Sequence, residues 1–183
     1  MNSNILMLLK KMNWKWLCFF LVGTAIFATL VISRFFGTIE LVPEATIDSQ
    51  MSYTSDVFYN YLEVQGAGGR VGYLRLHLID YLFITQFYTC LAISIALLLK
   101  RINVKKQIYY ISLVPLAGGI LDILENVSVD ISILIYPNKI LFPGCLLPYF
   151  TFLKFIIIYV TFILISLLLL LMSEKAIVKK LNR

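Results

Sequence analysis

Apolar residues gather along this chain in four long runs, Trp16–Phe36, Gly72–Leu99, Ile108–Tyr136 and Pro148–Met172. Each has the roughly 20 residues needed to cross a hydrocarbon core. The pattern predicts an all-α fold, a polytopic membrane four-helix bundle, with residues 1–183 forming a single integral membrane domain. Three of the runs carry polar stripes. At the 3.6-residue period Pro115, Gly118, Asp122, Glu125, Asn126, Val129 and Asp130 share one side of the third run, while Ile120, Leu121, Leu124, Val127 and Ile131 cover the rest. In the second run Tyr73, His77, Asp80, Tyr81, Ile84 and Tyr88 recur at steps of three or four. In the fourth, Thr151, Lys154, Ile158 and Thr161 share a face below a start marked by Pro148, and beyond Ile163 almost everything is leucine or isoleucine. An ionised carboxylate near the bilayer centre costs about 2.5–3.5 kcal/mol, so these stripes must face one another or a water-filled cavity.

The outer segment 37–71 separates the first two runs. Gly37–Ser52, with Pro43 and no sustained period, reads as an extended loop. Thr54 or Ser55 can then cap a short amphipathic helix whose Val57, Phe58, Tyr61 and Leu62 make one apolar face and whose stop is Gly66. Such a helix is expected to lie flat over the bundle mouth. Gly66–Gly72 reads as a flexible turn feeding the second run, since Val71 stands where a phosphate-binding loop would need its third glycine and no strand precedes it. Arg70 stands at the positive end of the following helix, where a carboxylate or an acidic headgroup could meet it.

Composition agrees with the runs: 60% of residues are hydrophobic and the mean hydropathy is +0.87. The net charge of +6 changes the picture only through its placement. Lys10, Lys11 and Lys15 precede the first run, Lys100, Arg101, Lys105 and Lys106 fill the second connection, and Lys175, Lys179, Lys180 and Arg183 follow the fourth. Bases beside spans set orientation and give no reason to expect nucleic acid as a partner. The expected location is the plasma membrane with both termini cytoplasmic. The first run is too long for a signal peptide and lacks an Ala-x-Ala exit, which favours a retained anchor helix. Cys18, Cys90 and Cys145 fall in separate regions and read as unpaired thiols.

Depth sharpens the chemistry. At 1.5 Å per residue, Asp80 lies about 12 Å below Gly72, Asp130 about 9 Å below Tyr136 and Lys154 about 9 Å below Pro148. Lys154 is therefore expected to pair with Asp80 or Asp130. Asp122, about 12 Å below Asp130, and Glu125 form a deeper pair at the foot of an outward-opening polar pocket. Asp122 and Glu125 are the candidate catalytic residues, one protonated as acid and the other ionised as base. His77, Asp80, Asn126, Asp130, Lys154, Arg70, Tyr73 and Tyr81 are the candidate binding residues. His77 with Asp80, and Asp122 with Glu125, could in principle supply one nitrogen and several oxygens to a cation. With a single histidine in the chain, no metal is assigned. No cofactor is indicated.

The order Tyr53, Gly69-Arg70 with Tyr73, Asp80, Pro115-Leu116-Ala117-Gly118, then Asp122-x-x-Glu125-Asn126 resembles a family of uncharacterised four-span bacterial membrane proteins. The resemblance covers most of Tyr53–Asn126 and implies the four-helix architecture, with no activity to carry over. Sterol-isomerase-like four-span proteins also hold acids and an asparagine between helices, but no motif of theirs matches here residue by residue. The leading functional expectation is an intramembrane pocket for a small or lipidic ligand, with acid/base chemistry. The alternatives are a proton- or cation-coupled carrier, favoured if the chain forms a homo-oligomer, and a non-catalytic assembly or chaperone-like subunit whose polar groups serve as interhelical glue.

Overall fold

The computed structural model describes residues 7, 9, 11–27, 29, 50, 51, 53–139 and 141–181. The expected loop Gly37–Ser52 and the outer part of the first run lie almost wholly outside them. Among the described residues the chain is helical throughout, with no strand. Five α-helices follow in order: α1 (Trp14–Phe27), α2 (Ser55–Val64), α3 (Gly66–Ile102), α4 (Val114–Ile135) and α5 (Leu141–Leu181). A 3-10 helix, Lys106–Leu113, leads into α4. Gly66–Ile102, Lys106–Ile135 and Cys145–Lys175 are long and apolar enough to cross a membrane, and Trp14–Ile26 is a shorter apolar helix. This is the build of an integral membrane protein.

Local chemistry explains the boundaries. The Thr54 hydroxyl accepts the Val57 amide at 3.3 Å and starts α2, as the sequence suggests. Gly66, at φ 62°, breaks the path between α2 and α3. The glycine-rich stretch that follows is not a flexible turn; it forms the first turns of α3. Its small residues permit close packing, and a Cβ on Gly69 would stand 2.7 Å from Gln65 Oε1. Pro115 sits in the first turn of α4, where its missing N–H leaves no helix bond unmade, so the α-helix begins at Val114 rather than at Ile108. Conversely, Pro148 does not mark the start of α5, which begins at Leu141 and runs straight through it. The connection between α4 and α5 is correspondingly shorter than expected.

Helices α3, α4 and α5 form the core, with α3 and α4 antiparallel and α5 antiparallel to α4. Helix α1 lies along α3, where Leu17 packs with Cys90, Ile93 and Leu97, and Thr24 donates to Gln86 Oε1 at 3.3 Å. Helix α2 covers the end of the core that lies opposite the lysine clusters. Its Phe58, Tyr59, Tyr61 and Leu62 join Tyr53, Tyr73, Val129, Ile133 and Leu147 in one buried cluster, while Val57 points outward. Ile120, Leu124, Val127 and Ile131 of α4 are exposed, as its stripe requires of a lipid-facing side. At the basic end Lys175 Nζ donates to the Ile102 carbonyl at 2.7 Å, tying α5 to the C-terminus of α3. Cys18, Cys90 and Cys145 are free thiols.

Candidate functional site

The polar stripes of α3, α4 and α5 meet along the core and form three stacked hydrogen-bonded groups. Nearest α2, Asp130 bonds His77 Nδ1 at 2.6 Å through Oδ1 and accepts the Tyr81 hydroxyl at 2.7 Å through Oδ2. The His77 ring also lies 4.7 Å from that of Tyr73, which in turn meets Tyr61. One turn along, Asn126 Nδ2 donates to Asp80 Oδ2 at 2.8 Å. Deeper still, Lys154 Nζ bridges two carboxylates, Asp122 Oδ1 at 2.8 Å and Glu125 Oε2 at 2.5 Å.

The lysine-centred group is the best built of the three. Asp122 also accepts the Tyr88 hydroxyl at 3.1 Å. Glu125 Oε1 accepts from Thr151 Oγ1, which lies 3.0 Å from the Tyr53 hydroxyl. The Thr151 hydroxyl has one proton; once it is given to the carboxylate, Tyr53 is the donor to Thr151. Glu125 is fully buried and Lys154 is 7% exposed, whereas the Asp122 and Asp130 side chains keep 15% and 21%. Close approach of the helices is made possible by Gly118 and Gly119, which lie against the Tyr88 ring.

This arrangement corrects the expected pairing, because Lys154 meets neither Asp80 nor Asp130. Depth counted from Pro148 placed it too shallow. Measured from the true starts and ends, Lys154 in α5 and Asp122 in α4 each lie about 20 Å from Leu141 and Ile135, so they share a level. Nor do the acids surround an open basin beneath the mouth: the aromatic cluster of α2 lies over them, and His77, Glu125 and Asn126 have essentially no exposed surface. Arg70 stays away from all four carboxylates. Its Nη1 donates to the Leu62 carbonyl at 2.8 Å and its guanidinium stacks 4.1 Å above the Tyr136 ring, clamping α2 to the end of α4. Among the described residues no group of three histidine, cysteine or acidic side chains is placed to hold a metal ion.

Tyr88 and Thr151 belong to the stripes read from the sequence but are not among its candidate site residues. Their signal was the i, i+4 spacing to Ile84 and to Leu147, but a hydroxyl aimed at a particular acid is a tertiary fact. Among the described residues, His77 Nε2 and Asn126 Oδ1 are two of the buried polar atoms that have no hydrogen-bond partner. No family model, curated protein or solved structure matches the chain. Function is therefore read from the side chains alone.

Proposed function

We propose that the chain is a multi-pass protein of the plasma membrane whose polar core handles protons and performs acid/base chemistry on a small or lipidic ligand entering from the outer leaflet. The observation that carries this reading is a convergence of acids: among the described residues Asp80, Asp122, Glu125 and Asp130 all enter one polar core, with Lys154 between two of them and His77 against a third. Carboxylates at membrane depth are expensive unless partnered, and acids gathered there are the usual mark of a site that handles protons or cations. Asp122 and Glu125, bridged by Lys154, are the acid/base pair. Through Nδ1–H, His77 is held by Asp130, which leaves Nε2 as an acceptor for a transferred proton. The partly exposed edges of Asp122 and Asp130 are where a ligand would reach the chain of acids. The orientation follows from the basic clusters, with both termini cytoplasmic. Membership of the four-span bacterial family resembled by the Gly69-Arg70-x-x-Tyr73 and Asp122-x-x-Glu125-Asn126 motifs belongs to the same proposal.

The test is replacement of the titrating groups by isosteric amides. Asp122→Asn and Glu125→Gln keep shape and lose the exchangeable carboxyl proton. Both variants should insert and remain folded by gel filtration and circular dichroism, yet fail to complement a deletion strain. Full complementation by both would leave the core as structural glue. The same convergence of acids favours a second reading, a proton- or cation-coupled carrier. In proteoliposomes that reading requires pH-gradient-driven uptake, which the enzyme reading does not.

A further inference from the structure

Thr151 stands among three oxygens. Its hydroxyl donates to Glu125 Oε1, and Oγ1 also lies 3.0 Å from the Leu147 carbonyl, one turn back in α5, and 3.0 Å from the Tyr53 hydroxyl. A threonine hydroxyl carries one proton and two lone pairs, and its hydrogen turns freely about the Cβ–Oγ1 bond. It can therefore donate to the carboxylate or to the carbonyl, but not to both at once. A helical carbonyl keeps a second lone pair after accepting its ladder N–H, so Leu147 can take the hydroxyl hydrogen without losing its helix bond. Thr151, Glu125 and Leu147 are all fully buried, so protein atoms must supply these bonds.

We infer that Thr151 is a positioning residue, a two-way hydroxyl that lets Glu125 gain and lose a proton inside the core, so that Glu125 is the proton store of the acid/base pair and Asp122 is the member that meets the ligand. The inference rests on the acid/base reading above. With Glu125 ionised, Thr151 donates to Oε1. On protonation one O–H bond forms, on Oε1, because Oε2 lies 2.5 Å from the Lys154 ammonium, which repels a proton there. The carboxyl then donates to Thr151 Oγ1, and the hydrogen of Thr151 swings to the Leu147 carbonyl. No other bond is made or broken, no heavy atom moves, and the hydroxyl stays bonded in both states. A hydroxyl with the carboxylate as its one acceptor would be stranded by the change, and a stranded buried donor opposes it. Exposure divides the roles, since the Asp122 side chain keeps 15% of its surface and that of Glu125 none. Lys154 on α5, Asp122 and Asp130 on α4, and His77, Asp80 and Tyr88 on α3 share the core with Glu125. Each of them is held by a bond that does not involve Thr151, so the exchange at this hydroxyl belongs to Glu125.

The test is infrared difference spectroscopy of the full-length protein in phosphatidylcholine nanodiscs, taken between alkaline and acidic buffer. A protonated-carboxyl band that is lost in Glu125→Gln belongs to Glu125, and the wild type should show it on acidification. In Thr151→Val, which keeps the shape and removes the hydroxyl, the band should shift to higher wavenumber, because the carboxyl O–H has lost that acceptor. Thr151→Ser restores the hydroxyl and should return the band to its wild-type position. A Thr151 that only packs would leave the band unmoved by either change. If Thr151→Val fails to fold by gel filtration, Thr151→Ala makes the same measurement. Absence of any Glu125-dependent band, one band position with and without the hydroxyl, or equal shifts in Thr151→Ser and Thr151→Val would each overturn the inference. Its failure is separable from that of the acid/base reading. Complementation of the deletion strain by both Asp122→Asn and Glu125→Gln ends that reading whatever the band does, whereas a band indifferent to Thr151 ends this inference even when both amide variants are inactive.

Discussion

Lys154 is the residue on which the polar core depends. Its ammonium touches both Asp122 and Glu125, so removing it strands two carboxylates in a nearly dry environment. Lys154→Met is expected to lower stability by about 3–5 kcal/mol, the usual cost of breaking a buried pair from one side. Adding Glu125→Gln should restore most of that loss, since Glu125 is fully buried and its charge is the more expensive to leave alone. Adding Asp80→Asn or Asp130→Asn should restore little, because neither acid touches the lysine. A thermal-shift series in detergent distinguishes these outcomes. Equal recovery from all three second changes would mean that net charge, rather than the observed contacts, governs stability.

At the scale of elements, the α4 contact with α3 and α5 depends on two glycines. A Cβ on Gly118 would stand 2.8 Å from Tyr88 Cε1 and 3.0 Å from Ile157 Cγ2. The Tyr88 ring has little freedom to yield, being buried and tied through its hydroxyl to Asp122. Gly118→Ala should therefore cost about 1–3 kcal/mol. It should also loosen the Tyr88–Asp122 bond, so loss of function should exceed what the loss of stability alone explains. Gly68, with nothing within 4 Å of its would-be Cβ, is the control. Because it lies within α3, Gly68→Ala should be neutral or stabilising by up to about 1 kcal/mol. Melting of the two variants side by side checks the pair, and equal effects would show that the α4 glycines are not set by packing.

For the whole molecule, the decisive question is how the bundle sits in the bilayer. Exposed Leu78, Ile120, Leu134, Phe162 and Leu170 lie on the outer sides of α3, α4 and α5, where lipid would cover them. Cys145 is exposed near the α2 end, and Cys90 is buried within the α1–α3 packing. With Cys18 and Cys90 replaced by serine, Cys145 should react with a membrane-impermeant maleimide added outside intact cells. Labelling only after the cytoplasmic face is opened would reverse the orientation and place the acids within reach of the inner leaflet.

Periodicity determined much of this molecule before any contact was known. Which side of α4 carries Asp122, Glu125, Asn126 and Asp130, that Tyr73, His77, Asp80, Tyr81 and Tyr88 share a side of α3, and that Thr151 and Lys154 share one of α5 all follow from the helix repeat, a local property of the backbone. That Thr54 or Ser55 caps α2 was legible from side-chain chemistry, which is equally local, while the choice of Thr54 was not. What only the tertiary structure decided is which polar side chain meets which. That depends on the axial offset between helices, and the offset hinged on a few residues at the ends: α5 begins at Leu141 and passes through Pro148, while α4 begins in earnest at Val114 with Pro115 in its first turn. A shift of seven residues moves a side chain about 10 Å along its helix. That distance carried Lys154 from the level of Asp130 to that of Asp122 and Glu125. The covering of the acids by α2 was decided in the same way, because Phe58, Tyr61 and Leu62 could reveal an apolar face but not the surface it would bury against.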